Sequence, residues 1–92
     1  MAYNRKNLLV KMIEVQEITY FQKHKIGLNL QEIYFKIIEC RYFICYRTFH
    51  EYIGTPAKKQ LKALVTEKEF EKLMKEIKER ISEYLIKKPL NI

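Results

Sequence analysis

Arg47, Thr48, His50 and Glu51 fall within five consecutive positions, and together they hold much of the chemistry needed to read nucleobase edges. Arginine pairs with guanine through two parallel hydrogen bonds, a threonine methyl meets a thymine methyl, and glutamate accepts from the cytosine amino group. Phe49, Tyr52 and Ile53 interleave with them at spacings of three and four. A helix over residues 46–53 therefore turns the apolar set inward and the polar set outward. Lys58, Lys59 and Lys62 follow across little more than one turn, and with Arg41 ahead of the helix they supply cations for phosphate contacts. Base contacts carry sequence information and phosphate contacts set position, so the two groups have different expected roles.

Two helix-start signals and one helix-stop signal organise the elements that must present these residues. Asn29 and Glu32 form a capping box, and Leu28 with Ile33 a hydrophobic staple, so a helix begins near Leu30. It runs to about Cys40, with Ile33, Ile37 and Ile38 facing the core and Tyr34 beside them. Residues 41–46 are rich in β-favouring side chains and read as a connection whose Ile44 plugs the core. Gly54 closes the 46–53 helix in the left-handed conformation. Thr55 and Pro56 then cap and open a helix over 56–64, with Leu61 and Leu64 facing in. Helix, connection, polar-faced helix, sharp stop and basic helix is the order found in helix-turn-helix domains. Asn29 to Gly54 resembles that class, and Arg47, Thr48 and Phe49 resemble the start of its recognition helix. The chain departs from the pattern in having no small residue midway along the helix over 30–40 and no Gly in the link, where Cys40 to Cys45 forms a longer, aromatic connection. The resemblance implies duplex DNA as partner, in a transcriptional regulator or a mobile-element accessory protein.

On either side of this core, residues 28–64, lie two longer helices. Residues 4–25 hold no Gly or Pro and carry Leu9, Met12, Ile13, Gln16 and Tyr20 at helical spacing, with Leu8, Val15 and Ile18 widening the stripe. His24, Lys25 and Gly27 supply a basic last turn and a stop. Thr66, Glu69, Val65 and Phe70 repeat the box and staple, opening a helix expected over 66–87 because nothing breaks it before Pro89. Phe70, Met74, Ile77, Ile81 and Tyr84 form its apolar seam, suited either to packing against the first helix or to a two-fold dimer. Glu71 with Lys75, Glu76 with Arg80, and Glu83 with Lys87 are favourable pairs along the outside.

At 92 residues the chain suits a single domain. With 48% apolar residues, two Gly and two Pro, it is expected to be an all-α bundle of four to five helices. The formal charge of +7 is uneven. Residues 1–27 carry five basic and two acidic side chains, residues 28–54 three of each, and residues 55–92 ten and six. A neutral middle flanked by basic segments matches base readout at the centre and phosphate contacts at the sides.

The chain contains no Asp, a single Ser at Ser82, and no Gly-rich loop, so neither a triad nor a phosphate loop can be assembled. An enzyme is not expected, nor is a small-molecule substrate or a cofactor. Cys40, Cys45, His50 and His24 have no familiar zinc spacing, so no metal is expected and the cysteines read as buried, reduced core residues. No apolar run approaches the roughly 20 residues that span a bilayer; the expected location is cytoplasmic. The rival reading is a helical protein-interaction module, an adaptor or inhibitor docking through its first or last helix.

Overall fold

The computed structural model describes residues 5–85, in which five helices and no strand are found. Helix α1, residues 5–26, consists of α-helical Arg5–Phe21 and a π-helical turn Gln22–Ile26. Leu9, Ile13, Val15 and Ile18 are fully buried along it, because the helices over residues 46–54, 57–64 and 67–80 all pack on it. Gly27 ends it at φ 96°, where only glycine is unstrained, and the amides of Gly27 and Leu28 both close onto the Gln22 carbonyl, at 2.9 and 3.1 Å.

Helix α2 spans residues 30–42, as Leu30–Ile33, a π-helical turn Tyr34–Ile38 and Glu39–Tyr42. Its capping box is complete: Glu32 N–H donates to Asn29 Oδ1 at 2.9 Å, and Asn29 N–H to Glu32 Oε1 at 3.0 Å. Ile33, Tyr34 and Ile38 are buried as their spacing requires. The helix continues past Cys40 despite the β-favouring residues there, so the link to α3, Tyr46–Gly54, is only residues 43–45. Tertiary packing outweighs the local preference at Tyr42, whose hydroxyl bonds Glu14 of α1 at 2.7 Å.

The exit from α3 differs from the expected one. Gly54 remains helical and the cap is Thr55, extended at φ −92°, ψ 132°. Thr55 Oγ1 donates back to the Glu51 carbonyl at 2.7 Å rather than capping forward. Gln16 of α1 adds a second donor there, to the carbonyls of Tyr52 and Thr55 at 2.7 and 2.6 Å, beside the backbone amides of Thr55 and Ala57 that those carbonyls also accept.

Helix α4, Ala57–Leu64, buries Ala57 and Leu61, and Val65 continues that line of fours half-buried. Leu64, expected inside, is thereby rotated out and 53% exposed. Tyr20 is likewise displaced from its stripe and 64% exposed. The end of α3 reaches Gln16, and the last described turn reaches Gln22, whose amide donates to the Tyr84 carbonyl at 2.7 Å. Tyr20 lies between these two contacts.

Helix α5 is Glu67–Arg80, capped by Thr66 Oγ1, which accepts from Glu69 N–H at 3.2 Å. The box is only half closed, because the Glu69 carboxylate takes Lys6 at 2.9 Å instead. The helix stops at Arg80 rather than near Lys87: Ile81 leaves helical geometry at φ −108°, ψ 16°, and a 3₁₀ turn Ser82–Tyr84 follows. Turning there buries Ile81 fully and brings the Tyr84 carbonyl to Gln22. Arg80 correspondingly pairs with Glu14, at 2.7 Å, and not with Glu76. Asn4, Lys87 and Pro89 lie outside the described residues.

Candidate nucleic-acid interface

The link between α2 and α3 is three residues, 43–45. Phe43 takes the left-handed conformation that ends α2, at φ 54°, with its amide on the Glu39 carbonyl at 3.1 Å. For a residue with a bulky side chain this conformation costs roughly 1–2 kcal/mol. Ile44 turns inward against the core as expected, and its carbonyl accepts from the buried Tyr34 hydroxyl at 2.8 Å. Cys45 then stands extended at the start of α3, where Phe49 N–H donates to its carbonyl at 3.0 Å.

The four candidate base-reading residues separate into two kinds. Arg47 is fully presented, its side chain 89% exposed, with Nε 3.7 Å from Glu51 Oε2 in a surface pair one turn long; such a pair is weak and readily exchanged for another partner. His50 is exposed and sets its ring edge-on to Tyr46 at 4.5 Å between centroids. Thr48 is half-buried, and its hydroxyl lies 3.3 Å from Cys45 Sγ. Arg47, His50 and Glu51 are therefore presented together, whereas Thr48 serves the helix start. Phe49 and Tyr52 are buried behind them.

Cys40 and Cys45 are both exposed free thiols, not core residues. Cys40 is in the solvent-facing last part of α2, and Cys45 is in the turn, so neither reaches the interior that their apolar neighbours suggested. Hydrogen bonding from Thr48, side chain first and backbone second, holds the Cys45 thiol below its ordinary pKa. Among the described residues no three metal-ligating side chains gather.

The cations expected at phosphates are also divided. Arg41 is held internally: Nε bonds the Tyr42 hydroxyl at 3.2 Å, Nη2 the Arg80 carbonyl at 3.3 Å, and the guanidinium lies over the Tyr84 ring at 5.3 Å. Lys58 Nζ is 2.5 Å from Glu17 Oε2 of α1. Lys62 is exposed, with its ammonium 5.5 Å from the Phe70 ring centroid, and Lys59 is exposed on the same helix. Lys59 and Lys62 are the pair best placed to meet a polyanion.

The residues of the expected dimer seam pack to different degrees within the chain. Ile77 and Ile81 are fully buried, and Phe70, Met74 and Tyr84 pack half-buried on the same core, because α5 lies against α1 and α4. Phe70 and Met74 also line an open groove along α5 with Glu71, Lys75 and Lys78.

One surface escaped the sequence reading. Phe35, Phe43 and Tyr46 are 53%, 86% and 39% exposed, and the Phe35 and Tyr46 rings are stacked at 6.4 Å and 6°. They lie around the turn, next to His50. The signal available was that Phe35 and Phe43 stand off the line of Ile33, Ile37 and Ile38. Among the described residues no helix is long and apolar enough to cross a membrane. No family model, curated protein or solved structure matches the chain.

Proposed function

We propose that this is a small basic DNA-binding protein, a transcriptional regulator or mobile-element accessory protein, that reads duplex DNA through the outer face of α3. The observation that carries the reading is the union of a three-residue link, bent left-handed at Phe43, with an α3 that presents Arg47, His50 and Glu51 together. In this reading Arg47 forms the bidentate contact to guanine, His50 and Glu51 lie along the neighbouring base edges, and Lys59 and Lys62 hold phosphates. Arg41 and Lys58 drop from the phosphate set because each is already paired inside the molecule.

Salt titration of binding to mixed-sequence duplex tests it. Each neutralised phosphate contributes about 0.9 to the logarithmic salt slope, so Lys59→Gln makes the dependence shallower by about one unit and weakens all duplexes alike. Arg47→Ala costs about 1–3 kcal/mol on a selected site and little on random DNA. Folded protein without salt-sensitive affinity for any duplex refutes the reading.

A second reading, a protein-interaction module, is favoured by the exposed aromatics at the turn. Solvent-facing Phe and Tyr rings beside an arginine are the composition of binding hot spots on proteins, and residues 28–54 carry no net charge to bias them toward a polyanion. Phe43→Ser separates the two: duplex affinity is kept if α3 reads DNA, and capture of a protein partner is lost if the turn is the docking point.

A further inference from the structure

At the end of α3 away from the Phe43 link, a concave groove of about 290 Å³ opens between α1, the start of α2 and the end of α3. Tyr20, Lys23 and His24 form its α1 wall, and Leu30 and Ile53 form apolar ground on α2 and α3. Lys23 and His24 bring basic nitrogens, and none of the described lining residues is acidic. The Tyr20 and His24 rings lie 4.5 Å apart and tilted by 44°, an aromatic edge that stays 64% exposed at Tyr20. Thr19, which also lines the groove, is 5% exposed, and its hydroxyl has no hydrogen-bond partner, an unusual state for a buried polar group. Lys23 and His24 belong to the π-helical turn Gln22–Ile26, a wide turn of the kind that recurs at functional sites.

We infer that this groove binds a small planar acid, an aromatic or heteroaromatic carboxylate, with its ring between Tyr20 and the Leu30 and Ile53 side chains and its carboxylate at Lys23 and His24. The chemistry follows from the lining. The Lys23 ammonium beside the His24 imidazole, with no carboxylate in the lining, selects a negative charge, and aliphatic ground facing aromatic edges selects a flat apolar body. The volume of about 290 Å³ stands just below the usual range for small-molecule sites, which limits the ligand to one or two fused rings. The inference is independent of what α3 binds.

Titrating the intact ¹⁵N-labelled chain with indole-3-acetate, and separately with its neutral isostere indole-3-acetamide, tests it by amide chemical shifts. The expected result is saturable shifts centred on residues 16–24, 30 and 53, with the anion bound about tenfold more tightly than the amide. Lys23→Gln, at an exposed position, is expected to bring the anion's affinity down to that of the amide while leaving the remaining spectrum in place. Ile53→Ser is expected to weaken both ligands together. Absence of saturable shifts, equal affinity for acid and amide, indifference to Lys23→Gln, or shifts centred elsewhere would each overturn the assignment.

Discussion

Replacing Glu14 with Ala is expected to destabilise the protein by about 2–3 kcal/mol, although nothing in its sequence position distinguishes it from a surface residue. Glu14 is 8% exposed, and its carboxylate joins three helices. Oε2 accepts from Arg80 of α5, through Nε at 2.8 Å and Nη2 at 2.7 Å, and Oε1 accepts from the Tyr42 hydroxyl of α2 at 2.7 Å. Breaking a fully buried ion pair costs about 3–5 kcal/mol because the stranded charge loses both partner and water. The Arg80 side chain is 45% exposed, so water can replace much of what it loses, and the cost falls to about 1–2 kcal/mol. The half-buried Tyr42 hydroxyl adds about 1 kcal/mol for its lost acceptor.

For a domain of this size each kcal/mol moves the melting temperature by about 4–8 °C, so Glu14→Ala should lower it by about 10–20 °C. Glu14→Gln keeps an acceptor for one partner and should cost roughly half as much. Urea unfolding followed by helical circular dichroism gives the free energies directly. A cycle with Arg80→Gln should show the double variant losing less than the sum of the single losses, since both remove the same pair. A loss below about 0.5 kcal/mol in Glu14→Ala, or strict additivity in the cycle, would refute the claim that this carboxylate ties α1, α2 and α5 together.

Thr66→Ala should cost about 1 kcal/mol in the same unfolding assay, since it removes the acceptor of the Glu69 amide at the start of α5; an unchanged midpoint would show the cap to be idle. Cys45 should be alkylated by iodoacetamide at neutral pH faster than an unperturbed thiol, and Thr48→Val should slow it, because hydrogen bonds from Thr48 lower its pKa. Mass-resolved labelling rates check both statements. Burial first, then the hydrogen bond to Glu14, raises the Tyr42 pKa well above its ordinary value. Its contribution to stability is thus complete below about pH 10, the unfolded value, and is lost as pH rises toward the folded one. Melting temperatures above about pH 10 should fall more steeply in the natural protein than in Tyr42→Phe, and parallel curves would contradict the assignment.

The features legible in the sequence were those whose partners lie a few residues away. Asn29 and Glu32 bond each other within one turn, and the Ile33 to Ile38 line needs only helical spacing to be recognised as buried. The same local logic found Gly27, where a left-handed stop is required. Misplaced residues were those whose fate depends on distant neighbours. Gln16 looked like one position of an apolar stripe, but it caps the end of α3 from 36 and 39 residues away. Glu69 completed a capping box in sequence, but Lys6 lies 63 residues away in the chain and takes its carboxylate. Arg80 matched a local pair with Glu76, but a buried carboxylate 66 residues away is the better partner, since a desolvated pair outweighs a solvated one.

The candidate interface divides along the same line. That Arg47, His50 and Glu51 share an exposed face could be derived from the spacing of Phe49, Tyr52 and Ile53, because a short amphipathic helix has only one way to bury its apolar residues. Which cations remain available could not. Lys58 and Lys59 are adjacent and chemically identical, yet only Lys58 faces Glu17 across to α1. Arg41 looked like a free cation beside the reading helix, but its guanidinium braces the Arg80 carbonyl and the Tyr84 ring. A count of positive charge therefore overstates the surface open to a polyanion. Lys59 and Lys62 carry the phosphate part of the proposed function, and the salt slope measured on the Lys59→Gln chain is the number on which that part depends.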